Sequence, residues 1–157
     1  MDLATVHVRQ LEVADWAVFR HIRLRSLADA PHAFGSTLDT ARRRAERDWR
    51  ALLVGRTQFL AVVADTAVGT VGVTGDDGEF HLISMWVAPE ARGTGVADLL
   101  LHAVLEHAGV GGGRIRLEVT EGNIAAERLY LRHGFRRTGV CGTIGGDRPE
   151  FEMVLDL

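Results

Sequence analysis

At 157 residues, with 46% hydrophobic and 25% charged residues, the chain is long enough to bury the core of a single domain spanning 1–157 and too apolar to be disordered. A formal net charge of −3 argues against a general nucleic-acid or anionic-membrane binder. All 18 basic residues are arginines, which excludes a Schiff-base lysine and leaves no side-chain amine of the protein's own to acylate. Cys141 stands alone, no apolar run approaches a membrane span, and no basic-then-apolar leader opens the chain. The expectation is a soluble, cytoplasmic protein.

Val6, Val8 and Leu11 suggest a first short strand. Asp15 is a candidate N-cap for a helix running to about Ala28, with Trp16, Phe19, Ile22 and Leu27 near helical spacing. Pro31 breaks it, and His32 to Thr37 reads as a loop. Ala41, Ala45, Trp49 and Leu52 predict one amphipathic second helix, its arginines on a solvated face beside Asp39, Glu46 and Asp48. QFLAVVA (58–64), AVGTVGV (67–73) and EFHLISMWV (79–87) read as three strands joined by turns at Asp65-Thr66 and at Thr74 to Gly78. Val96 to Ala108 is apolar nearly all round and predicts a buried helix. RIRLEV (114–119) is a further strand, and Asn123 to His133 a helix stopped by Gly134. RRTGVCGTI (136–144) and EFEMVLDL (150–157) form a final pair of strands. The order β-α-α-β-β-β-α-β-α-β-β predicts a mixed α/β (α+β) sheet covered by four helices.

The most informative stretch is VAPEARGTGVADLLL, residues 87–101. A helix N-terminus offers unpaired N–H groups and a partial positive charge, and glycines admit an anion close to the backbone. Arg92 adds a permanent cation suited to phosphate. A dinucleotide fingerprint fails, because Asp98 stands where its third small residue belongs. A triphosphate loop fails for want of lysine.

Arg92-x-x-Gly95-x-Ala97, after an apolar strand ending Val87-Ala88-Pro89, resembles the coenzyme A pyrophosphate motif Q/R-x-x-G-x-G/A of the GCN5-related N-acetyltransferase (GNAT) superfamily. LEVTEGNIAAERLYLRHGF (117–135) resembles the family's second motif: strand, Asn, helix with Leu-Tyr, then Gly-Phe. The likeness is specific over 79–135 and topological over nearly the whole chain. It implies a mostly antiparallel sheet of about seven strands and acetyl transfer from acetyl-coenzyme A to an amine, without a metal.

On that template the coenzyme contacts fall to Met85, Val87, Arg92, Gly93, Thr94, Gly95, Val96, Ala97 and Asn123. The strand before the loop is expected to bulge and to splay from its neighbour, exposing the Met85 and Val87 amides. A backbone donor of this kind is worth about 3 kcal/mol in comparable sites. Tyr130, the only tyrosine, lies seven residues after Asn123, the only asparagine, so both can face one side of a helix. The resemblance places Tyr130 near the sulfur, where a protonated phenol can donate to a departing thiolate. The histone-acetylating branch carries a glutamate four residues before the position of Met85, where this chain has His81. His81, its neighbour Glu79, and a water relay remain alternative bases.

Acceptor recognition is expected from the first helices with their loop, His32 to Thr37, and from the last hairpin. Phe34 and Trp49 are candidate pocket walls, and Asp29, Asp39 or Glu121 candidate attractors of a cationic amine. The expected acceptor is a small-molecule or peptide amine, with acetyl-coenzyme A as donor and neither nucleic acid nor membrane as partner. A sensor that binds without turnover, a protein N-terminal acetyltransferase and a hydroxyl acyltransferase are the rival functions. A homodimer through the last strands is compatible with the sequence.

Overall fold

Strands form where β-branched and aromatic residues run between turns rich in glycine and aspartate. The computed structural model describes residues 1–157. The strands are β1 (His7–Gln10), β2 (Thr57–Val63), β3 (Thr66–Asp76), β4 (Glu79–Val87), β5 (Arg114–Thr120), β6 (Arg136–Ile144) and β7 (Arg148–Asp156). They make one sheet in the order β1-β2-β3-β4-β5-β7-β6. Every neighbouring pair is antiparallel except β4 with β5, which is parallel. The tight β2–β3 and β3–β4 links place Ala64, Asp65 and Asp77 at positive φ, as two-residue hairpin turns require.

Five helices cover the sheet: α1 (Trp16–Asp29), α2 (Leu38–Arg42), α3 (Glu46–Val54), α4 (Val96–Gly109) and α5 (Ile124–Arg132). None is long and apolar enough to cross a membrane. Alternation along each strand sends side chains to opposite faces, and the two faces build separate cores. On one face Leu82, Ile115, Leu117, Val119, Phe151 and Met153 pack with Val96, Leu100, Leu101 and Val104 of α4 and with Leu129 and Tyr130 of α5. On the other, Leu60 and Trp86 pack with Phe19, Ile22 and Leu27 of α1, Ala41 of α2, and Trp49 and Leu53 of α3. The rings of Phe19 and Trp49 meet edge-to-face at 5.5 Å, an arrangement worth about 1 kcal/mol beyond its area.

The single second helix expected over Ala41 to Leu52 is in fact two. The chain leaves helical conformation at Arg44 and restarts after Ala45, whose N–H donates to the Asp48 carboxylate at 2.8 Å. Thr37 caps α2 by accepting the Thr40 amide at 3.2 Å. Each short helix therefore has its own start signal. Ala41 and Trp49 still reach the same core, which is why their spacing imitates one continuous helix. Ala45, expected inside, is exposed, and Leu53 takes the deeper position beside Leu52.

Candidate active site

The sheet is broken at its centre. Between Thr70↔Trp86 and Gly72↔Ile83, the single residue Val71 opposes both Ser84 and Met85, and Ser84 sits at φ +57°. This bulge bends β4 away from β5. The parallel pair holds at Glu79↔Arg114, Phe80↔Ile115 and His81↔Arg116, with no β4–β5 partners beyond. β5 remains bonded to β7 along its whole length, so the gap opens on the β4 side alone. The facing edges of 82–87 and 117–120 carry backbone donors and acceptors without a ladder partner, an arrangement that invites an extended amide-containing ligand.

A cavity of about 1190 Å³ occupies this gap and takes its walls from both faces of the sheet. Met85, Val87, Gly93, Gly95, Val96, Ala97, Asn123 and Tyr130 all line it, as do Phe34 and Trp49 from the other layer. Thr94 does not; its hydroxyl donates to the Ala91 carbonyl and closes the turn instead. At the mouth of α4, Gly93 and Gly95 adopt φ of +73° and +95°, a region costly for any residue with a Cβ. Leu99 N–H makes the helix's first backbone bond, to the Gly95 carbonyl at 3.2 Å. The amides of Val96, Ala97 and Asp98 come before it, and no side chain caps them. Unpaired amides at a helix start are suited to an anion.

Arg92 departs from the free cation that its position suggested. Its Nε donates to the Val87 carbonyl at 3.0 Å, and its guanidinium pairs with Asp29 at the end of α1. Asp29 also accepts the Trp86 indole N–H at 2.9 Å; that bond, then Arg92, holds the Asp29 carboxyl below its usual range. Arg92 thus ties α1 to the loop, and its charge is already matched. Asn123 caps α5, accepting the Ala126 amide at 3.2 Å, so its carbonyl is committed and its NH₂ is free.

His81 Nε2 lies 2.5 Å from Glu118 Oε2 across the β4–β5 pair, at the point where the strands part. Arg116 donates to the other Glu118 oxygen at 2.7 Å. The His81 bond chiefly holds the Glu118 carboxyl low. Glu150, on β7 directly opposite Thr120 and Gly142, lines the same cavity; burial and the Glu118 charge push its carboxyl up. Tyr130 is buried and stacks edge-on at 5.5 Å against Phe135, and burial raises its hydroxyl so that it stays protonated. That hydroxyl has no hydrogen-bond partner within the protein.

Three sequence candidates are placed elsewhere. Glu79 stands at the start of β4, where the strands are still paired, and is not part of the cavity wall. Asp39 pairs with Arg43 at 2.9 Å and Glu121 with Arg137 at 3.4 Å. With Asp29 bound to Trp86 and Arg92, none of the three acidic acceptor candidates faces the cavity. The carboxylates that do are Asp98, Glu118 and Glu150. Asp98 is already held by Arg132 at 3.0 Å and His133 at 2.8 Å.

A seven-stranded sheet split after a bulge, with a glycine-rich helix mouth beside the split, defines the class of coenzyme-A-dependent acyltransferase folds. The sequence profile of the Acetyltransferase (GNAT) family matches residues 13–135, and the chain belongs to that family. It is 35% identical over 126 residues to the mycothiol acetyltransferase of Thermobispora bispora, covering 74% of this chain and 41% of that protein. An uncharacterized N-acetyltransferase of Mycobacterium tuberculosis is 37% identical over 84 residues, 53% of this chain and 54% of that one. The chain therefore spans about half or less of these relatives' lengths. Among solved structures, a GCN5-related N-acetyltransferase from Kribbella flavida superposes with TM-score 0.76 at 24% identity, covering 98% of this chain and 99% of that one. A putative acetyltransferase of Salmonella typhimurium, solved with acetyl-CoA, gives TM-score 0.75 at 19% identity over 97% and 94%. These two establish the likeness of fold.

Proposed function

We propose that the protein is an acetyl-coenzyme A-dependent N-acetyltransferase in which an amine attacks the thioester directly. The observation that carries the reading is the β4–β5 split leading from the helix mouth to His81 and Tyr130. Acetyl transfer is also what the relatives' names state, and one structural neighbour was solved with the same donor.

The amides of Val96 and Ala97, with the Gly93–Gly95 turn, hold the pyrophosphate by charge-assisted N–H donation. The Asn123 NH₂ and the unpaired edge of Met85 to Val87 hold the pantetheine amides and polarise the acetyl carbonyl. A protonated amine cannot attack. His81, positioned by Glu118, takes its proton, and Glu150 and Glu118 favour the incoming ammonium. The nitrogen lone pair then forms the C–N bond as the C–S bond breaks, the electron pair leaving on sulfur and the nitrogen's surplus proton replacing the one that Tyr130 gives up. Tyr130 donates to that thiolate, and a protonated, unpartnered hydroxyl in the cavity wall is suited to it.

The test is coenzyme A release measured with a panel of amines, alongside calorimetric binding of acetyl-coenzyme A. Release that requires an amine and matches N-acetylated product mole for mole supports transfer. Tight coenzyme binding without release for any amine or alcohol would favour the sensor, and release with alcohols alone the hydroxyl acyltransferase.

A further inference from the structure

The acceptor side of the cavity carries positive charge that the protein does not neutralise. Arg23 projects from α1 and is 8% exposed, its guanidinium 4.5 Å above the Phe34 ring. Arg44, in the break between α2 and α3, lies 5.4 Å from the Trp49 ring centre, and Arg56, just after α3, 5.7 Å from that of Phe19. All six residues line the cavity. Most other arginines pair with carboxylates, as Arg9 does with Asp15 and Arg50 with Glu46, although Arg20, Arg42, Arg128 and Arg148 do not. These three make no ion pair. Arg23 Nη1 and the Trp49 indole N–H are buried without any acceptor.

Such an arrangement is unfavourable by itself. Burial, then the charges of Arg56 and Arg44, brings the Arg23 guanidinium down to about 10, and burial together with Arg44 lowers Arg56. A buried donor left unpaired loses its hydration without return, and cation–π contacts offset only part of that. An anion between the three guanidiniums would offset their mutual repulsion and give Arg23 an ion-pair partner.

That anion does not come from the coenzyme's pyrophosphate cradle. The cradle belongs to α4 and the core shared with α5, whereas Phe19, Phe34 and Trp49 belong to the core on the opposite face of the sheet. His81 and the three arginines nevertheless line the one cavity.

We infer that the acceptor amine carries an anionic group, a carboxylate or a phosphate, which docks on Arg23, Arg44 and Arg56 while its amine faces His81 and Glu118. The inference rests on the acetyl-transfer reading for the role of the amine, but the anion site is testable without turnover. The acceptor is then bipolar, with an apolar or aromatic middle against Phe34 and Trp49.

The experiment compares matched acceptors: L-phenylalanine against phenethylamine, and aminoethyl phosphate against ethanolamine. It measures kcat/KM for each, and calorimetric binding of N-acetyl-L-phenylalanine and of aminoethyl phosphate. The anionic member of at least one pair is expected to be preferred at least ten-fold, and which pair responds identifies carboxylate or phosphate. Arg44→Gln and Arg56→Gln are expected to raise KM for that acceptor about ten-fold and weaken anion binding, with KM for acetyl-coenzyme A unchanged. These two are only half-buried and carry the test, since Arg23→Gln alters a buried position. Equal use of charged and neutral amines would overturn the anion site and leave acetyl transfer standing. Arginine-dependent anion binding without turnover of any amine would do the reverse. Variants that weaken coenzyme A but not dephospho-coenzyme A would assign the cluster to the coenzyme's own phosphate and overturn the inference, as would the absence of any arginine-dependent anion binding.

Discussion

Tyr130 and the paired glutamates show how burial sets chemistry one residue at a time. With its hydroxyl raised by burial and without a protein partner, Tyr130 has no structural bond to lose in Tyr130→Phe. That variant should lower kcat about ten-fold or more, leave KM for acetyl-coenzyme A near the parent value, and keep its melting temperature. Glu150 and Glu118 shift in opposite directions. Glu118, held low by His81, contributes stability that is present above the ordinary glutamate range and lost as pH falls through its folded value. Glu150, raised first by burial and then by Glu118, contributes stability that is present at low pH and lost as pH rises through its folded value. Glu150→Gln should therefore raise the melting temperature by about 1–2 °C at pH 7 and leave it unchanged at pH 3. His81 was visible in the sequence from its place four residues before Met85. Glu118 and Glu150 were not singled out, because their partnership depends on β4, β5 and β7 lying side by side. The alternation in RIRLEV was the available signal, since it sends Glu118 to the face away from Leu117 and Val119.

Among the elements, the helix mouth was the most legible, because glycine there answers a backbone demand that no other residue meets cheaply. At Gly95 an added Cβ would stand 2.9 Å from Leu3 Cδ1 at φ +95°, whereas at Gly93 it would meet nothing within 4 Å. Gly95→Ala should therefore destabilise by about 1–2 kcal/mol and weaken coenzyme binding, read by denaturation and calorimetry. Gly93→Ala should cost less in both. Asn123→Ala should lose about 1 kcal/mol of stability through the α5 cap, together with affinity for the coenzyme through the lost NH₂. The broken second helix was less legible. Helical periodicity persists across the break because Ala41 and Trp49 are drawn to one core. The same periodicity puts the arginines of that segment mostly on solvated faces, and Arg44 instead turns inward over Trp49. For Arg23 the clue was local: Phe19, Ser26 and Leu27 lie four before, three after and four after it, all buried on one side of α1.

Across the whole molecule, Asp29 couples the two layers. It joins α1 to Trp86 on β4 and to Arg92 in the loop before α4, so α1 on one face of the sheet braces the loop that starts the helix on the other. Asp29→Ala should leave the Trp86 indole and Arg92 unpaired, costing about 1–2 kcal/mol by chemical denaturation and raising KM for acetyl-coenzyme A. The mostly antiparallel seven-stranded sheet, the bulge and the splayed strands followed the family resemblance closely. The charge of the acceptor side did not, because it is assembled from α1, a helix break and the end of α3, segments that no short motif spans. A crystal structure with acetyl-coenzyme A tests the central claim most directly. The pyrophosphate should lie on the amides of Gly93 to Ala97, with the pantetheine between 82–87 and 117–120 and the sulfur beside Tyr130. Pyrophosphate density on Arg23, Arg44 and Arg56, with the β4–β5 gap unfilled, would contradict it.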